Sequence, residues 1–495
     1  MAERLKPDIC VIGAGSGGLS VAAAASAFGV SVVLVEKGKM GGDCLNTGCV
    51  PSKSLIAASK RARAIAQGGA FGVSAPTVDI DFGKVKDHVQ GVIAAIAPND
   101  SKERFGGLGV SVIESTARFK NKRTVVLGDG TEIRARRFVI ATGSSPALPE
   151  IPGLATTPHL TNETVFDLAT RPEHLIVIGA GPIGLELAQA FRRLGAAVTV
   201  LEEARALARE DPECADVVVG ALLREGVDVR ESVAISRVEG FDSEGFDSKV
   251  FDSKGFDSKV LGSKVKVTFR NGDAEQTIEG SHLLVATGRR ANTDDLGLDQ
   301  AGITRDPVGI CVDARLKTSN KRVYAVGDVA GMGQFTHLAN YHAGLVIRNA
   351  LFRQRAEVNE DLIPRVTFTD PELAHVGLTE TQARERRIAL RVLRWPFHEN
   401  DRAQAERTTA GHIKVVTDRK GKVLGATIVG AAAGEMITAW TLAVSQNLNI
   451  RAFAGIVVPY PTLAEVGKRA AMTYFTPGLT NNWVRRIIGL LRRFG

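Results

Sequence analysis

Apolar runs of four or five residues, each closed by a glycine turn, punctuate the first two thirds of the chain. Asp8–Ile12 reads as a short buried strand, followed by the glycine-rich turn Gly13–Gly18, an alanine-rich helix, and a second strand over Ser31–Val35 that ends in Glu36. The same order returns later. Leu175–Ile178 predicts a strand, Gly179–Gly184 a turn, Leu185–Leu194 a helix, and Val198–Leu201 a strand before Glu202. From Gly13 to Glu36 and from Gly179 to Glu202 the offset is the same, 23 positions. Strands alternating with helices in this way predict an α/β fold. Beyond about residue 361 the pattern changes. Strand-like runs at Val366–Thr369, Ile413–Thr417 and Val423–Val429 stand among helical ones at Thr379–Arg387 and Gly434–Gln446, as in an α+β domain.

The two glycine turns carry a chemical implication because of where they stand. Gly13 allows a tight turn, Gly15 lets a pyrophosphate approach the helix N-terminus, and Gly18 lets helix pack on strand. Glu36 then stands where a carboxylate accepts from a ribose hydroxyl. Gly179, Gly181, Gly184 and Glu202 repeat the arrangement, so the chain is expected to hold two dinucleotides. Ala141–Pro146 closes the first unit and Ala286–Asn292 the second, each a strand end followed by a glycine turn. Val323–Gly331 is another strand, ending on Gly327-Asp328.

One stretch falls outside this alternation: Gly41-Gly42-Asp43-Cys44-Leu45-Asn46-Thr47-Gly48-Cys49-Val50-Pro51-Ser52-Lys53. Cys44 and Cys49 have four residues between them. One helical turn distorted at Gly48 brings such a pair within the roughly 4.4–6.8 Å Cα separation that a disulfide needs. The run Ser52–Ala66 reads as a helix, which puts Cys49 near its start. The helix dipole and Lys53 there favour a thiolate. The pair reads as a redox-active dithiol.

Composition narrows the class further. The chain has 495 residues, enough for about three domains of ordinary size. It carries no charged-then-apolar leader and no apolar run of bilayer length, so a cytoplasmic protein is expected. Five cysteines are too few for a secreted disulfide scaffold. Cys10, Cys214 and Cys311 read as buried thiols, and no metal site is assigned. The formal charge is +8, of which Arg485, Arg486, Arg492 and Arg493 supply half. With no accompanying motif, the charge does not point to nucleic acid.

The dithiol stretch, the two fingerprints and the Gly327-Asp328 strand together resemble the flavin-dependent pyridine nucleotide–disulfide oxidoreductases, the group that includes lipoamide dehydrogenase, glutathione reductase and mercuric reductase. The resemblance runs from Asp8 to about Phe475. It implies two Rossmann-like dinucleotide-binding domains and an α+β C-terminal dimerisation domain: an FAD-binding domain over 1–150 and 282–355, an NAD-binding domain over 151–281, an interface domain over 356–477, and a tail over 478–495. It further implies FAD contacts at Gly42, Lys53, Thr142, Gly143 and Asp328, a nicotinamide nucleotide contact at Gly288, and a homodimer. Electrons would pass from NADH through FAD to a Cys44–Cys49 disulfide, with Cys49 next to the flavin and Cys44 the outer thiol. The acceptor would be a disulfide or metal substrate. Lys53 and Glu186 resemble the charged pair near the flavin.

The resemblance breaks at Pro459-Tyr460-Pro461-Thr462-Leu463-Ala464-Glu465. Disulfide reductases have His-Pro-Thr-x-x-Glu there, with the His–Glu pair as proton-transfer base. Here the acid Glu465 is present and the base is replaced by Tyr460. A phenol titrating near pH 10 takes a proton poorly at neutral pH. Tyrosine at this place is similar to mercuric reductase, although no cysteine pair lies in the tail. Glu202 favours NADH over NADPH. Lipoamide dehydrogenase activity and electron transfer to a quinone or protein at a membrane surface are the competing readings.

Two segments belong to no family motif. Residues 241–264 repeat F-D-S-x-x with period five, which matches neither strand alternation nor a helical face. They read either as a solvated hairpin extension or as a partner-binding loop displaying Phe241, Phe246, Phe251 and Phe256. The tail puts Trp483, Ile487, Leu490, Leu491 and Phe494 broadly on one helical face with arginines around it. It reads either as a membrane-surface helix or as a helix packed on its own domain.

Overall fold

The computed structural model describes residues 4–74, 79–242, 263–479 and 482–494. The chain divides into two compact units. One comprises Met1–Gly179, Ala190–Glu203 and Val233–Val358, and the other Ala180–Gln189, Ala204–Ser232 and Asn359–Gly495. This partition is coarser than the expected division into FAD, nicotinamide and interface parts.

The first unit is built on a five-stranded parallel sheet. Its order is Val323–Ala325, Arg137–Ile140, Ile9–Ile12, Val32–Glu36, Val110–Glu114. Parallel strands joined by helical crossovers are covered on both faces, so they read as continuous apolar runs. The side chains divide accordingly. Ile9, Val11, Val32 and Leu34 enter one core cluster with the helices Ser16–Ala27 and Thr336–Ala350. Cys10, Ile12, Val33 and Val35 enter the other, with Phe119, Phe138 and Ile140. Leu34 is fully buried, and Leu34→Ala would cost about 2–5 kcal/mol.

The second strand–turn–helix–strand also forms as expected: His174–Ile178, the glycine turn, Pro182–Arg193, Ala197–Leu201. His174–Ile178 pairs in parallel with Ala197–Leu201 on one side and His282–Val285 on the other. Beside this sheet lies an antiparallel meander of Val233–Asp242, Ser263–Asn271 and Ala274–Gly280. The repeats themselves lie outside the described residues, apart from their ends. Those ends are register partners, Phe241 with Lys264 and Asp242 with Ser263, so the repeats join two paired strands.

The second unit contains a five-stranded antiparallel sheet in the order Arg365–Thr367, Glu372–Gly377, Val423–Gly430, His412–Asp418, Leu390–Pro396. The helices Ala433–Ser445 and Glu465–Thr473 pack on it. Trp440 stacks on Phe453 with ring centroids 3.9 Å apart. Under the sheet, buried Lys414 binds three carboxylates: Asp211 at 2.8 Å, Glu380 at 3.0 Å and Glu213 at 3.3 Å.

Cys10 and Cys214 are buried as expected, but Cys311 is not. It is half-buried, and its thiol donates to Asp306 at 3.6 Å. A short helix, Thr476–Leu479, leads into the tail, and Asn482–Leu491 forms a second one.

Candidate redox-active site

The dithiol stretch folds as two helices, Gly42–Asn46 and Cys49–Gln67, with Gly48 between them. Three glycines make this possible. Gly41 and Gly42 have φ of +84° and +59°, in the left-handed region that side chains disfavour. A Cβ on Gly42 would stand 2.8 Å from the Gly15 Cα, and one on Gly48 2.6 Å from Asp43 Oδ2. The turn is also held by its own polar groups. The Thr47 hydroxyl donates to Asp43 Oδ1 at 2.9 Å, and Asn162 Nδ2 donates to Asp43 Oδ1 at 3.0 Å and to the Thr47 carbonyl at 3.2 Å. Pro51 sits in the first turn of the longer helix, where its missing N–H removes no helical hydrogen bond.

Cys49 opens that helix and Lys53 follows one turn on, as the sequence predicts. Both thiols are free. The Cys44 thiol donates to Cys49, and this hydrogen bond, with the Thr336 hydroxyl and the Lys53 charge, outweighs burial and the nearby Asp43 and brings the Cys49 thiol down to about 6. Cys44 is shifted upward, first by that same hydrogen bond and then by burial. The negative charge of a reduced pair therefore rests on Cys49. Exposure ranks the two the other way, with Cys49 exposed and Cys44 half-buried. Thr336 stands at the start of its helix with its Oγ1 3.4 Å from the Cys49 sulfur.

The glycine turn beside the dithiol shows which backbone edges serve the protein and which are left bare. A Cβ on Gly13 would run into the Ala141 carbonyl and one on Gly18 into the Gly13 carbonyl, so both are required by packing. Gly15, at the N-cap of Ser16–Ala27, and Gly143 would meet nothing within 4 Å. A bare, open edge at a helix N-terminus suits the pyrophosphate of a dinucleotide. The second turn repeats this: a Gly179 Cβ would stand 2.6 Å from the Ala286 carbonyl, whereas Gly181 and Gly288 face open space. Glu36 braces the first turn, accepting from Ala14 N–H at 2.5 Å and Gly38 N–H at 2.7 Å. The lone pairs left over on its oxygens can take a ribose hydroxyl. These residues fit FAD at the first turn and a nicotinamide nucleotide at the second.

Asp328 is joined to the dithiol turn by a chain of contacts. Ser144 Oγ donates to Asp328 Oδ2 at 2.5 Å, Arg289 Nε donates to Ser144 Oγ at 2.8 Å, and the Arg289 guanidinium lies 3.3 Å from Asp43 Oδ1. Burial raises the Asp328 carboxyl above its ordinary value, against the lowering by Ser144 and Arg289. Thr142 Oγ1 donates to the Asn292 carbonyl at 2.7 Å, tying the two strand-end turns together. Sequence reasoning missed Ser144, Asn162, Arg289 and Thr336. Ser144 and Arg289 lie inside quoted motifs. Asn162 and Thr336 carry no local signal, since only the fold brings Asn162 to the dithiol turn and Thr336 to Cys49.

Of the remaining expected residues, Glu186, Tyr460 and Glu465 lie in the second unit and Glu202 in the first. Glu186 is buried and accepts from the Phe368 N–H at 2.8 Å. Tyr460, followed by a cis peptide to Pro461, is exposed, and its hydroxyl donates to Asp401 Oδ2 at 2.7 Å. Glu465 pairs instead with Arg469 at 3.1 Å. The Tyr460 hydroxyl titrates above its ordinary value because of the Asp401 hydrogen bond and charge. Glu202 closes the Ala197–Leu201 strand, and its carbonyl accepts from Val233 N–H at 3.0 Å.

Residues 7–343 match the family described as pyridine nucleotide-disulphide oxidoreductase, and residues 363–471 match the dimerisation domain of that family. The mercuric reductase of Streptomyces lividans is 36% identical over 477 residues, covering 94% of this chain and 96% of the relative. The dihydrolipoyl dehydrogenase of Geobacillus stearothermophilus is 33% identical over 474 residues, with the same coverage. Among solved structures, the Cu(II) complex of the HOCl-induced flavoprotein disulfide reductase RclA from Escherichia coli superposes with a TM-score of 0.80 at 26% identity. It covers 94% of this chain and 99% of that one.

Proposed function

The chain belongs to the pyridine nucleotide-disulphide oxidoreductases, and on that premise we propose that it draws electrons from NADH and delivers them through Cys44 and Cys49 to a soft metal ion or a small disulfide. It is an oxidoreductase using FAD and a pyridine nucleotide, as its family does. FAD, when bound, supplies the two-electron relay between nicotinamide and disulfide. The residues of the chain do the rest. Gly15 and Gly143 offer bare backbone to the cofactor, Asp328 is held by Ser144 and Arg289 to receive it, and Lys53 and Thr336 keep Cys49 ionised. Cys44 retains its proton while the pair is reduced and is the thiol assigned to the substrate.

The observation that carries the soft-metal reading is the Tyr460–Asp401 hydrogen bond. A dithiol substrate needs a base to take a thiol proton, and a phenol already donating to a carboxylate is a poor one. A soft metal ion bound by thiolates needs no such base. Steady-state NADH oxidation against Hg(II), small disulfides and quinones, with dihydrolipoamide oxidation assayed in reverse, tests the reading. Turnover with none but dihydrolipoamide would replace it with dihydrolipoyl dehydrogenase, and turnover with quinone alone would favour a membrane-surface electron-transfer protein.

The matched dimerisation domain supports a homodimer in which Tyr460 and Glu465 of one subunit serve the dithiol of the other. The division of the first unit into FAD-binding parts, 1–150 and 282–355, and a nicotinamide part within 151–281 belongs to the same reading. Among the described residues no helix is long and apolar enough to cross a membrane. Peripheral contact through residues 478–495 is a separate reading, independent of the acceptor.

A further inference from the structure

The helix Asn482–Leu491 has no buried residue. Trp483 is 68% exposed, Leu490 54% and Leu491 60%, and Phe494, just beyond the helix, is 80% exposed. At 3.6 residues per turn Trp483, Ile487, Leu490 and Leu491 share an arc of roughly 100°, which Val484 and Ile488 widen to roughly 160°. Arg485 and Arg492 border this arc on one side, and Arg486 and Arg493 on the other. No acidic residue follows Glu465 in the chain, so these four cations have no compensating charge on their own element. Val484 is half-buried and Ile487 37% exposed, so the arc is turned mostly outward.

We propose that Asn482–Leu491 docks the protein onto an anionic bilayer surface, with the apolar arc in the acyl boundary and the two arginine rows at the lipid phosphates. Charge complementarity selects this occupant. Cations on both borders of one apolar arc match a plane of phosphates lying on either side of a half-sunk cylinder, and Trp483 is suited to the headgroup boundary. At ten residues the helix is about 15 Å long, half of a hydrocarbon core of about 30 Å, so it lies on the membrane rather than across it.

The test is sedimentation of the full-length flavoprotein with phosphatidylglycerol-containing vesicles and with pure phosphatidylcholine vesicles, at low and at high salt. The expected result is binding to the anionic vesicles, weakened by salt, with a blue shift of the emission that Trp483→Phe removes. Each arginine-to-glutamine change at 485, 486, 492 or 493 should weaken partitioning roughly fivefold. Leu490→Asp should abolish binding with all four arginines in place. NADH oxidation should be unchanged in every variant, which separates loss of docking from loss of fold or of the redox reading. Absence of binding at low salt overturns the proposal, as does binding that survives Leu490→Asp. A Trp483 already shielded from an aqueous quencher without vesicles, in a dimer that Leu490→Asp dissociates, would make the helix a subunit contact instead and equally overturn it.

Discussion

The Tyr460 hydroxyl donates to the Asp401 carboxylate at 2.7 Å, while Glu465, which would partner a histidine at position 460 in related disulfide reductases, is held by Arg469. The acid and the phenol of this segment are thus engaged separately. Because Asp401 stabilises the protonated phenol, a smaller fraction of Tyr460 than of free tyrosine is in the proton-accepting form at any pH below its titration. Oxidation of dihydrolipoamide should therefore be slow at pH 7 and rise toward alkaline pH as substrate thiolate forms. Tyr460→His should raise turnover at pH 7 by up to about 10²–10⁴-fold. Brisk wild-type turnover at pH 7 that Tyr460→Phe leaves unchanged would assign the base to another group.

Reduced protein should titrate a thiolate near pH 6, followed by its long-wavelength absorbance against oxidised flavin. Cys49→Ser should remove this signal, and Cys44→Ser should show it without reductant. Thr336→Val removes one hydrogen bond to the thiolate, worth on the order of 1 kcal/mol, and should raise the midpoint by about one unit or less. A signal that survives Cys49→Ser would transfer the inner role to Cys44.

Glu202, at the end of its strand, predicts NADH over NADPH, because a carboxylate accepts a ribose 2′-hydroxyl and repels a 2′-phosphate. The preference should be about 1–3 kcal/mol in kcat/KM, and Glu202→Arg should narrow or reverse it. Equal kcat/KM for the two coenzymes in the wild type would refute the assignment.

How much of this was legible in the sequence depended on how local each signal was. Both dinucleotide folds were readable because a glycine turn, a helix and a strand are contiguous, and the observed strands Ile9–Ile12 and Ala197–Leu201 differ from expectation by a residue at an end. The placement of Cys44, Cys49 and Lys53 on two consecutive helices was readable for the same reason. Thr336 was not, since 287 positions separate it from Cys49 and a single threonine before a helix looks like any other. The Tyr460–Asp401 contact was equally hidden, because 59 positions of sheet and helix lie between its partners. Cys311 was misread as buried because burial depends on what closes over a loop, which a five-residue window does not show.

Asp242 and Ser263 are register partners at the ends of two antiparallel strands, so the repeats between them can be replaced by a short turn. Substituting Asn-Gly for residues 243–262 should leave flavin content, thermal midpoint and NADH oxidation essentially intact. Loss of flavin or of the folded dimer would show that the repeats contribute to the core.

Lys414 is held by Asp211, Glu213 and Glu380, and Lys414→Met would leave the buried Asp211 carboxylate without its cation. The expected cost is about 3–5 kcal/mol, read as a lowered denaturation midpoint of the variant. Burial by itself would raise the Glu213 carboxyl, but Arg394, His412 and Lys414 outweigh it and bring it to about 2. A depressed carboxylate stabilises the fold above its ordinary value, so this contribution should be lost as pH falls from about 4.5 toward 2. An acid-unfolding midpoint unchanged by Glu213→Gln would show that other carboxylates govern it.

Gly42 rests on Gly15 so closely that no Cβ fits between them. The spacing from the pyrophosphate loop to the dithiol turn is therefore fixed by the thickness of two polypeptide backbones, with no rotamer or side-chain length able to alter it. A substrate pocket can be recut residue by residue around the outer thiol, but this distance is not adjustable by substitution. On the proposed assignment of Cys44 as the outer thiol, a change of acceptor would fall to the residues around Cys44 and not to this spacing.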